Sequence, residues 1–183
     1  MVEDPSDDLD QDESYFDPPP RHARFDAGVL LEPLRALPVR RALVLRPSDS
    51  VTEAVRLMQR EHRGCVVITE DGTDTSRLLG IFTERDVLLR IVDRGKNPAT
   101  LPLASVMTAD PEVLSVSGTI AHALNKMSVG GFRHVPVVDE DHHPAFVVSV
   151  SDIVEFLVEA FPREVLTLSS DAAVQVPRGR YGA

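Results

Sequence analysis

The chain is organised around Gly80-Ile81-Phe82-Thr83-Glu84-Arg85-Asp86, which has a counterpart 66 residues later in Phe146-Val147-Val148-Ser149-Val150-Ser151-Asp152. In both copies an apolar, strand-like run ends at a hydroxyl residue, and an aspartate follows three positions later. An apolar, helix-like run comes next, so each copy predicts a strand that turns directly into a helix. The hydroxyl and carboxylate would then lie beside unpaired backbone N–H groups and the positive end of a helix dipole. Such a place suits a sugar diol and a phosphate, and its duplication predicts two related binding sites.

The residues around these two stretches follow the same order of elements. In the first unit the pattern predicts a helix that begins near Val51, a β-branched strand over Cys65–Thr69, a returning strand over 78–82 and a closing helix over 84–93. The second unit has the same order, with His134–Val138 in the place of Cys65–Thr69. Because the series of strand, helix, strand, strand and helix occurs twice, it is an internal repeat. The predicted fold class is α/β (α+β), with two pseudo-symmetric β-α-β-β-α repeats forming one tandem module.

Four segments are expected along the chain. Residues 1–26 form an acidic disordered tail, 27–98 a lead-in helix (29–37) and the first repeat, 99–160 the second repeat, and 161–183 a C-terminal tail. Eight of the 29 acidic residues lie within residues 1–20, which contain no lysine or arginine. A segment of this composition cannot bury enough apolar surface to offset its ordering entropy. A solvated tail is therefore favoured, and docking to a basic partner is the alternative.

Composition excludes several classes of protein. Outside the acidic tail the chain is nearly neutral, so it lacks the basic surface of a general nucleic-acid binder. The single cysteine, Cys65, excludes an intramolecular disulfide and a cysteine metal cluster within one chain. The sequence begins without the features of a signal peptide, and no run approaches the roughly 18 apolar residues of a membrane span. We therefore expect a cytoplasmic protein with no membrane partner, no metal or cofactor and, since no catalytic constellation is present, no enzymatic activity.

The repeated residues resemble a tandem pair of CBS domains, the regulatory module named after cystathionine beta-synthase. The resemblance covers residues 35–160 and depends on the stretch from Gly80 to Asp86, on Val106-Met107-Thr108, and on the run from Gly131 to Asp139. Residues 161–168 resemble the tail of small stand-alone bacterial CBS-pair proteins. The resemblance implies clefts between the repeats that bind an adenine nucleotide such as AMP, ADP or ATP. It also implies a homodimer that regulates an unidentified partner protein by changing shape.

The resemblance assigns roles to particular residues. In the family, the aspartate after the second strand takes the ribose hydroxyls, and the hydroxyl residue three positions earlier lies near the ribose and phosphate. Carried over, these pairs are Asp86 with Thr83, and Asp152 with Ser149. The adenine would contact the backbone after each first helix, at 63–67 and 132–136, and the segment 108–111 with its counterpart 45–47 would form the opposite wall. The implied lining residues are Gly64, Cys65, Val67, Thr108, Phe132, Arg133, His134 and Pro136, and Arg85, Arg133 and His134 could face a phosphate.

Two interpretations of the hydroxyl–aspartate pairs remain open. Thr83 with Asp86, and Ser149 with Asp152, also fit a capping box, in which the pair satisfies the backbone at a helix start. An ionised carboxylate can equally accept two hydrogen bonds from a vicinal diol, each about 1.5–3 kcal/mol. The capping interpretation corresponds to a scaffold with empty clefts, and the diol interpretation corresponds to a nucleotide sensor.

The two sites are not equivalent in sequence. Phe146 stands where the first copy has Gly80, and Ser151 stands where it has Arg85. The bulky ring is expected to intrude on the second cleft, and the missing guanidinium removes a phosphate partner. We therefore expect the Asp86 site to be the better one.

Overall fold

The computed structural model describes residues 26–162, so the tails predicted for 1–26 and 161–183 fall almost wholly outside the described residues. The first repeat consists of β1 (Val44–Leu45), α1 (Val51–Glu61), β2 (Cys65–Thr69), β3 (Leu78–Thr83) and α2 (Glu84–Asp86), which continues as a π-helix over Val87–Val92. Next come β4 (Thr108–Ala109), β5 (Leu114–Ser115), α3 (Ile120–Gly130), β6 (His134–Val138), β7 (Pro144–Ser149) and α4 (Val150–Ala160). Short 3₁₀ helices cover Ala27–Leu31, Leu34–Ala36 and Leu103–Ser105. The predicted α+β class with a duplicated unit is confirmed.

The strands form two sheets that share one plan. The first has the order β1-β2-β3-β4 and the second the order β5-β6-β7. In each, the first strand pairs in parallel with the second, and the second pairs antiparallel with the third. The register is also the same, since Val67 lies opposite Ile81 in one sheet and Pro136 lies opposite Val147 in the other. Equivalent residues of the two repeats therefore occupy equivalent places.

The core has three parts. In each repeat one cluster lies between the sheet and its helices, around Phe82 in the first repeat and around Val148 in the second. The third joins the sheets to each other, with Cys65, Val67 and Ile81 on one side and Val138 and Val147 on the other. Burial of these branched side chains, at about 25 cal/mol per Å² of apolar surface, holds the repeats face to face. The strand-to-helix turns thereby come to lie at the junction between the repeats.

The lead-in segment differs from the sequence prediction in two ways. It forms two 3₁₀ helices on either side of Pro33 instead of one helix over 29–37. Proline lacks a donor N–H and disfavours helical geometry in the residue before it, which explains the break. Although the chain order groups this segment with the first repeat, it packs on the second: Leu34 is fully buried there, and its N–H donates to Gly118 O at 3.0 Å.

The linker between the repeats makes the reciprocal contact. Leu103 and Val106 are buried in the helix-side core of the first repeat, and β4 pairs with β3 at its edge.

Within residues 26–162, no helix is both long enough and apolar enough to cross a membrane.

Candidate functional site: a cleft between the repeats

A cleft of about 470 Å³ opens at the strand-to-helix turn of the first repeat. It is formed by this turn, by the linker that follows β4, and by the backbone between α3 and β6 of the second repeat. Most of the residues predicted from the sequence line it: Gly64, Thr83, Arg85, Asp86, Thr108, Phe132, Arg133, His134 and Pro136. The fold therefore brings together residues that are up to 72 positions apart in the chain.

Asp86 is a buried carboxylate held by two protein hydrogen bonds and one ion pair. Its Oδ2 accepts from Thr83 N–H at 2.9 Å and from the Thr83 hydroxyl at 2.8 Å, and its Oδ1 lies 3.0 Å from Arg90 Nε in the ion pair. The capping box is complete, because the Asp86 N–H lies 3.4 Å from the Thr83 hydroxyl oxygen. The capping interpretation is thus satisfied in full, and a ligand would use only what the cap leaves free.

The backbone N–H groups at this turn are less available than the sequence suggests. Those of Thr83 and Asp86 take part in the capping box, and that of Glu84 donates to Gly64 O at 3.1 Å. The second repeat has the equivalent bond, from Val150 N–H to Arg133 O at 3.1 Å. These three N–H groups are therefore not free to hold a phosphate, and side chains must supply most of the donors.

Arg90 is the important residue that sequence reasoning missed. Besides its contact with Asp86, its guanidinium donates to Val106 O and Met107 O, both at 2.7 Å, and to the Thr108 hydroxyl at 3.0 Å. It thereby ties the closing helix to the linker that forms one wall of the cleft. The spacing of four residues from Asp86 on a helical pattern is a signal that could have revealed the ion pair. Other lining residues that were missed are Ile81, Glu84, Leu89 and Glu112.

Gly80 allows the linker to reach the cleft. A Cβ added at Gly80 would lie 2.5 Å from Met107 Sδ and 3.0 Å from Thr108 O. A glycine is therefore needed where the linker crosses β3 and delivers Thr108 to the cleft. At the same place in the second repeat, Phe146 is 7% exposed and belongs to the helix-side core. Its ring points into that core, so the expected intrusion on the second cleft is wrong.

The opposite wall comes from the second repeat. Arg85 reaches across to it, with Nη1 3.4 Å from Gly131 O. The His134 ring packs on Gly64, where an added Cβ would lie 3.0 Å from Cε1 and from Nε2. Burial lowers the pKa of His134 below its usual 6.5, and the nearby Arg133 acts in the same direction. His134 is therefore mainly neutral at pH 7, and Arg85 and Arg133 remain as the cations expected to face a phosphate.

Four predicted site residues lie outside this cleft. Cys65 and Val67 are buried between the two sheets, where burial raises the pKa of the Cys65 thiol to about 12 and makes it unreactive. Ser149 lines a neighbouring groove of about 710 Å³ that shares Gly64 and His134 with the cleft. Asp152 lines neither, and its Oδ2 accepts from Ser149 N–H and from the Ser149 hydroxyl, both at 2.7 Å.

Metal binding has no support in the described part of the chain. No cluster of three or more histidine, cysteine, aspartate or glutamate side chains in residues 26–162 is arranged to hold an ion. The adjacent His142 and His143 lie on the β6–β7 turn, and His143 Nδ1 is 3.4 Å from an Asp139 oxygen.

The duplicated architecture agrees with a comparison against known families. The model of the CBS domain matches residues 34–93 and again residues 103–159. The chain belongs to the CBS-domain family. The resemblance derived from the two hydroxyl–aspartate stretches is thereby confirmed, including the tandem arrangement of two CBS domains. Several of the proteins that it matches are named as CBS-domain proteins.

Relatives and solved structures give the extent of the similarity. The CBS domain-containing protein CBSCBSPB3 of Arabidopsis thaliana is 36% identical over 110 residues, which is 60% of this chain and 19% of that protein. The chain thus spans about a fifth of the length of these curated relatives, 19% in one and 20% in another. An uncharacterised conserved protein of Pyrococcus horikoshii is 26% identical with a TM-score of 0.62, covering 69% of this chain and 92% of the other.

A third similarity concerns a structure with a ligand. The CBS domain protein PAE2072 of Pyrobaculum aerophilum, solved in complex with AMP, has a TM-score of 0.58 and 23% identity, covering 66% of this chain and 91% of the other. At this identity the similarity establishes the shared fold alone.

Proposed function

We propose that this CBS pair senses an adenine nucleotide in the cleft at Asp86 and passes the signal to a partner protein by a change of shape. The observation that carries the proposal is the convergence of Asp86, Arg85 and Arg133 on one cleft of about 470 Å³. This volume is within the range of small-molecule sites. The carboxylate suits a ribose hydroxyl, the two guanidiniums suit a phosphate, and the aliphatic and backbone lining suits an adenine.

The AMP complex of the Pyrobaculum aerophilum protein supports this choice of ligand. Because that similarity extends only to the fold, the proposal depends on the chemistry of the cleft itself.

The charges in the cleft favour a monophosphate. Three arginines line it, of which Arg90 is engaged by Asp86, so Arg85 and Arg133 remain for the ligand. Three further carboxylates line it as well, at Glu84, Asp110 and Glu112, and the last of these is paired with Lys126 at 2.6 Å. Two guanidiniums can balance one phosphate, whereas the additional phosphates of ATP would face uncompensated acids. We therefore propose AMP ahead of ADP and ATP.

Signal transmission is proposed to use the two repeats as the walls of one site. Arg85 bridges from the first repeat to Gly131 of the second, and Arg90 fixes the linker. A nucleotide seated between these walls would shift one repeat against the other. We further propose that the module acts as a homodimer, because apolar side chains on the closing helix of the first repeat stay exposed: Leu88 at 62%, Leu89 at 54% and Val92 at 66%.

The competing function is a scaffold whose clefts stay empty. The complete capping boxes favour it, since Thr83 with Asp86 and Ser149 with Asp152 already have a structural purpose. The two functions differ in whether Asp86 is needed for binding.

Isothermal titration with AMP, ADP and ATP separates the two functions. For Asp86→Ala we expect AMP affinity to fall by about tenfold or more, because a charge-assisted hydrogen bond is lost. Glu53→Ala is the matched control, since Glu53 closes the capping box of α1 with Ser50 and does not line the cleft. It should lower the stability of the protein slightly and leave AMP binding unchanged.

Asp152→Ala assigns any second binding event. The sensor function would be rejected if the parent bound none of AMP, ADP and ATP, or if the Asp86→Ala variant bound AMP as tightly as the parent does. The scaffold function would then remain.

A further inference from the structure

We propose that two copies of this chain pair crosswise, so that the first closing helix (residues 84–92) of each copy faces the acidic second closing helix, α4, of the other. This inference rests on the homodimer of the proposed function and adds the arrangement of its subunits. It follows from the surface that the two closing helices share and from the difference between their charges.

The two closing helices begin on either side of one groove. This groove of about 710 Å³ is lined by Leu88 of the first helix and by Val150 of the second. Leu88 is 62% exposed and Val150 is 37% exposed, and Val154, one turn further along α4, is 53% exposed. The exposed apolar side chains of the two helices therefore form one surface, which a single partner can cover.

A second copy of this chain can cover this surface about a twofold axis in two ways. Each closing helix faces either its own copy or the other closing helix of the partner subunit. The apolar side chains do not distinguish the two arrangements, because they occupy equivalent positions: Leu88 corresponds to Val154, and Val92 corresponds to Val158.

The charged side chains of α4 do distinguish them. This helix carries Asp152, Glu155 and Glu159 and contains no lysine or arginine. Glu155 and Glu159 are exposed, and Glu155 stands where the first repeat has Leu89. Pairing of α4 with its own copy would bring together the exposed carboxylates of both copies without a cation on either helix. Like charges placed opposite each other at an interface oppose association.

The first closing helix and the turn that follows it carry the opposite charge. Arg85 and Arg94 are exposed, and Lys96 is half-buried. The exposed acids of this segment are Glu84 and Asp93, while Arg90 is paired with Asp86, so the cations are in excess. In the crosswise arrangement α4 thus meets a segment whose charge is opposite in sign to its own, which favours association.

The test removes both exposed carboxylates of α4 in Glu155→Gln/Glu159→Gln and measures the dimer dissociation constant of the full chain by sedimentation equilibrium. In the crosswise arrangement this constant should rise roughly 3- to 30-fold, because attraction to the basic segment is lost. Pairing of α4 with its own copy requires the opposite sign, since a repulsion would be removed. The substitutions should not weaken α4 itself, because two like charges four positions apart near a helix C-terminus are unfavourable.

Glu70→Gln/Glu140→Gln is the matched control. It removes the same charge from exposed positions on the β2–β3 and β6–β7 turns, outside the closing helices. It therefore accounts for the general repulsion between two chains that each have a formal net charge of −10. The dissociation constant of this control should not rise.

A charge swap gives a second readout. Glu155→Lys/Glu159→Lys should weaken the dimer more than the glutamine substitutions do, because the lysines would face the basic segment of the partner subunit. Addition of Arg94→Glu should recover part of that loss, since opposite charges would again face each other. If α4 paired with its own copy, Arg94→Glu would recover nothing.

A dissociation constant that falls in Glu155→Gln/Glu159→Gln, or that changes no more than in the control, would overturn the crosswise arrangement and leave the proposed homodimer standing. A parent that sediments as a monomer would remove both the arrangement and the homodimer. The proposed sensing of a nucleotide is decided separately, by titration with AMP.

Discussion

At the scale of single residues, the two hydroxyl–aspartate pairs have the same local geometry and different surroundings. Asp86 accepts from the N–H of Thr83 at 2.9 Å, and Asp152 accepts from the N–H of Ser149 at 2.7 Å. Both contacts form because a hydroxyl residue and an acid three positions apart satisfy the backbone at a helix start. Capping and ligand binding are therefore compatible, since the cap uses one carboxylate oxygen and leaves the other to its neighbours.

His134 makes stability depend on pH. Burial first, and Arg133 second, hold its pKa below the ordinary 6.5, so the unfolded chain takes up a proton at a pH where the folded chain does not. The free energy of unfolding should therefore rise with pH. It should decrease as the pH falls below about 6.5, where the unfolded chain binds a proton that folded His134 does not. The melting temperature of the parent should drop more steeply between pH 7 and pH 5.5 than that of His134→Gln.

The control for this experiment is His142→Asn, which removes an imidazole from a surface turn where φ is 65°, a value that asparagine tolerates. It should keep the slope of the parent. Hydrogen bonds from Thr73 and from His143 hold the pKa values of Asp71 and Asp139 below 3.8, so their effect falls at a lower pH. Equal slopes for the parent and His134→Gln would contradict the assignment.

At the scale of elements, the closing helices of the two repeats differ although their sequences align. The first becomes a π-helix over Val87–Val92, with Asp93 N–H donating to Leu88 O at 3.0 Å, whereas Val150–Ala160 is α-helical throughout. Single π turns occur often at functional sites, and this one carries Arg90. The helix and the linker are thus joined at the cleft in the first repeat. In the second repeat, Phe156 stands at the equivalent position and offers no such bond.

The lead-in segment is expected to stabilise the second repeat. Leu34→Ala should lower the free energy of unfolding by about 2–5 kcal/mol, because the fully buried side chain leaves a cavity beside Ile120. Leu31→Ala is the matched control, since Leu31 is 70% exposed, and it should stay within about 0.5 kcal/mol of the parent. Urea denaturation measures both, and similar values for the two variants would refute the packing.

At the scale of the whole molecule, the two sheets bury Val67, Ile81 and Val147 against each other and leave part of the outer helices uncovered. Val92 is 66% exposed and Val154 on the second closing helix is 53% exposed. Exposed apolar side chains grouped on an element indicate a contact surface, and identical subunits most often pair through a twofold axis.

We expect light scattering at micromolar concentration to give twice the 20.1 kDa of one chain. Val92→Asp should convert the dimer to a monomer, since a carboxylate would be buried without a partner. Val129→Asp is the control, because Val129 is 82% exposed near the end of α3, which is not a closing helix, and it should remain dimeric. A parent that runs as a monomer would remove the proposed dimer and leave Leu88 and Val92 without a cover.

The local parts of this protein could be predicted from the sequence by itself. The strands Cys65–Thr69 and His134–Val138 have the predicted bounds, and the turns at Thr83 and Ser149 carry the predicted hydroxyl–aspartate pairs. These features depend on side-chain periodicity and on hydrogen bonds between residues three positions apart. Because the same signals recur in the same order, the duplication and the family followed from them.

Other features depend on which surfaces meet, and only the tertiary structure decided them. Cys65 and Val67 were expected to line the adenine, but the sheets pack face to face and bury them. The lead-in segment crosses to the second repeat, and Arg90 finds its backbone partners in the linker, 16 and 17 residues away. A periodic pattern states that a face is apolar or that a guanidinium is present, but not what will lie against it. That choice is made by long-range packing, because the free energy of each contact depends on partners that are distant in the chain.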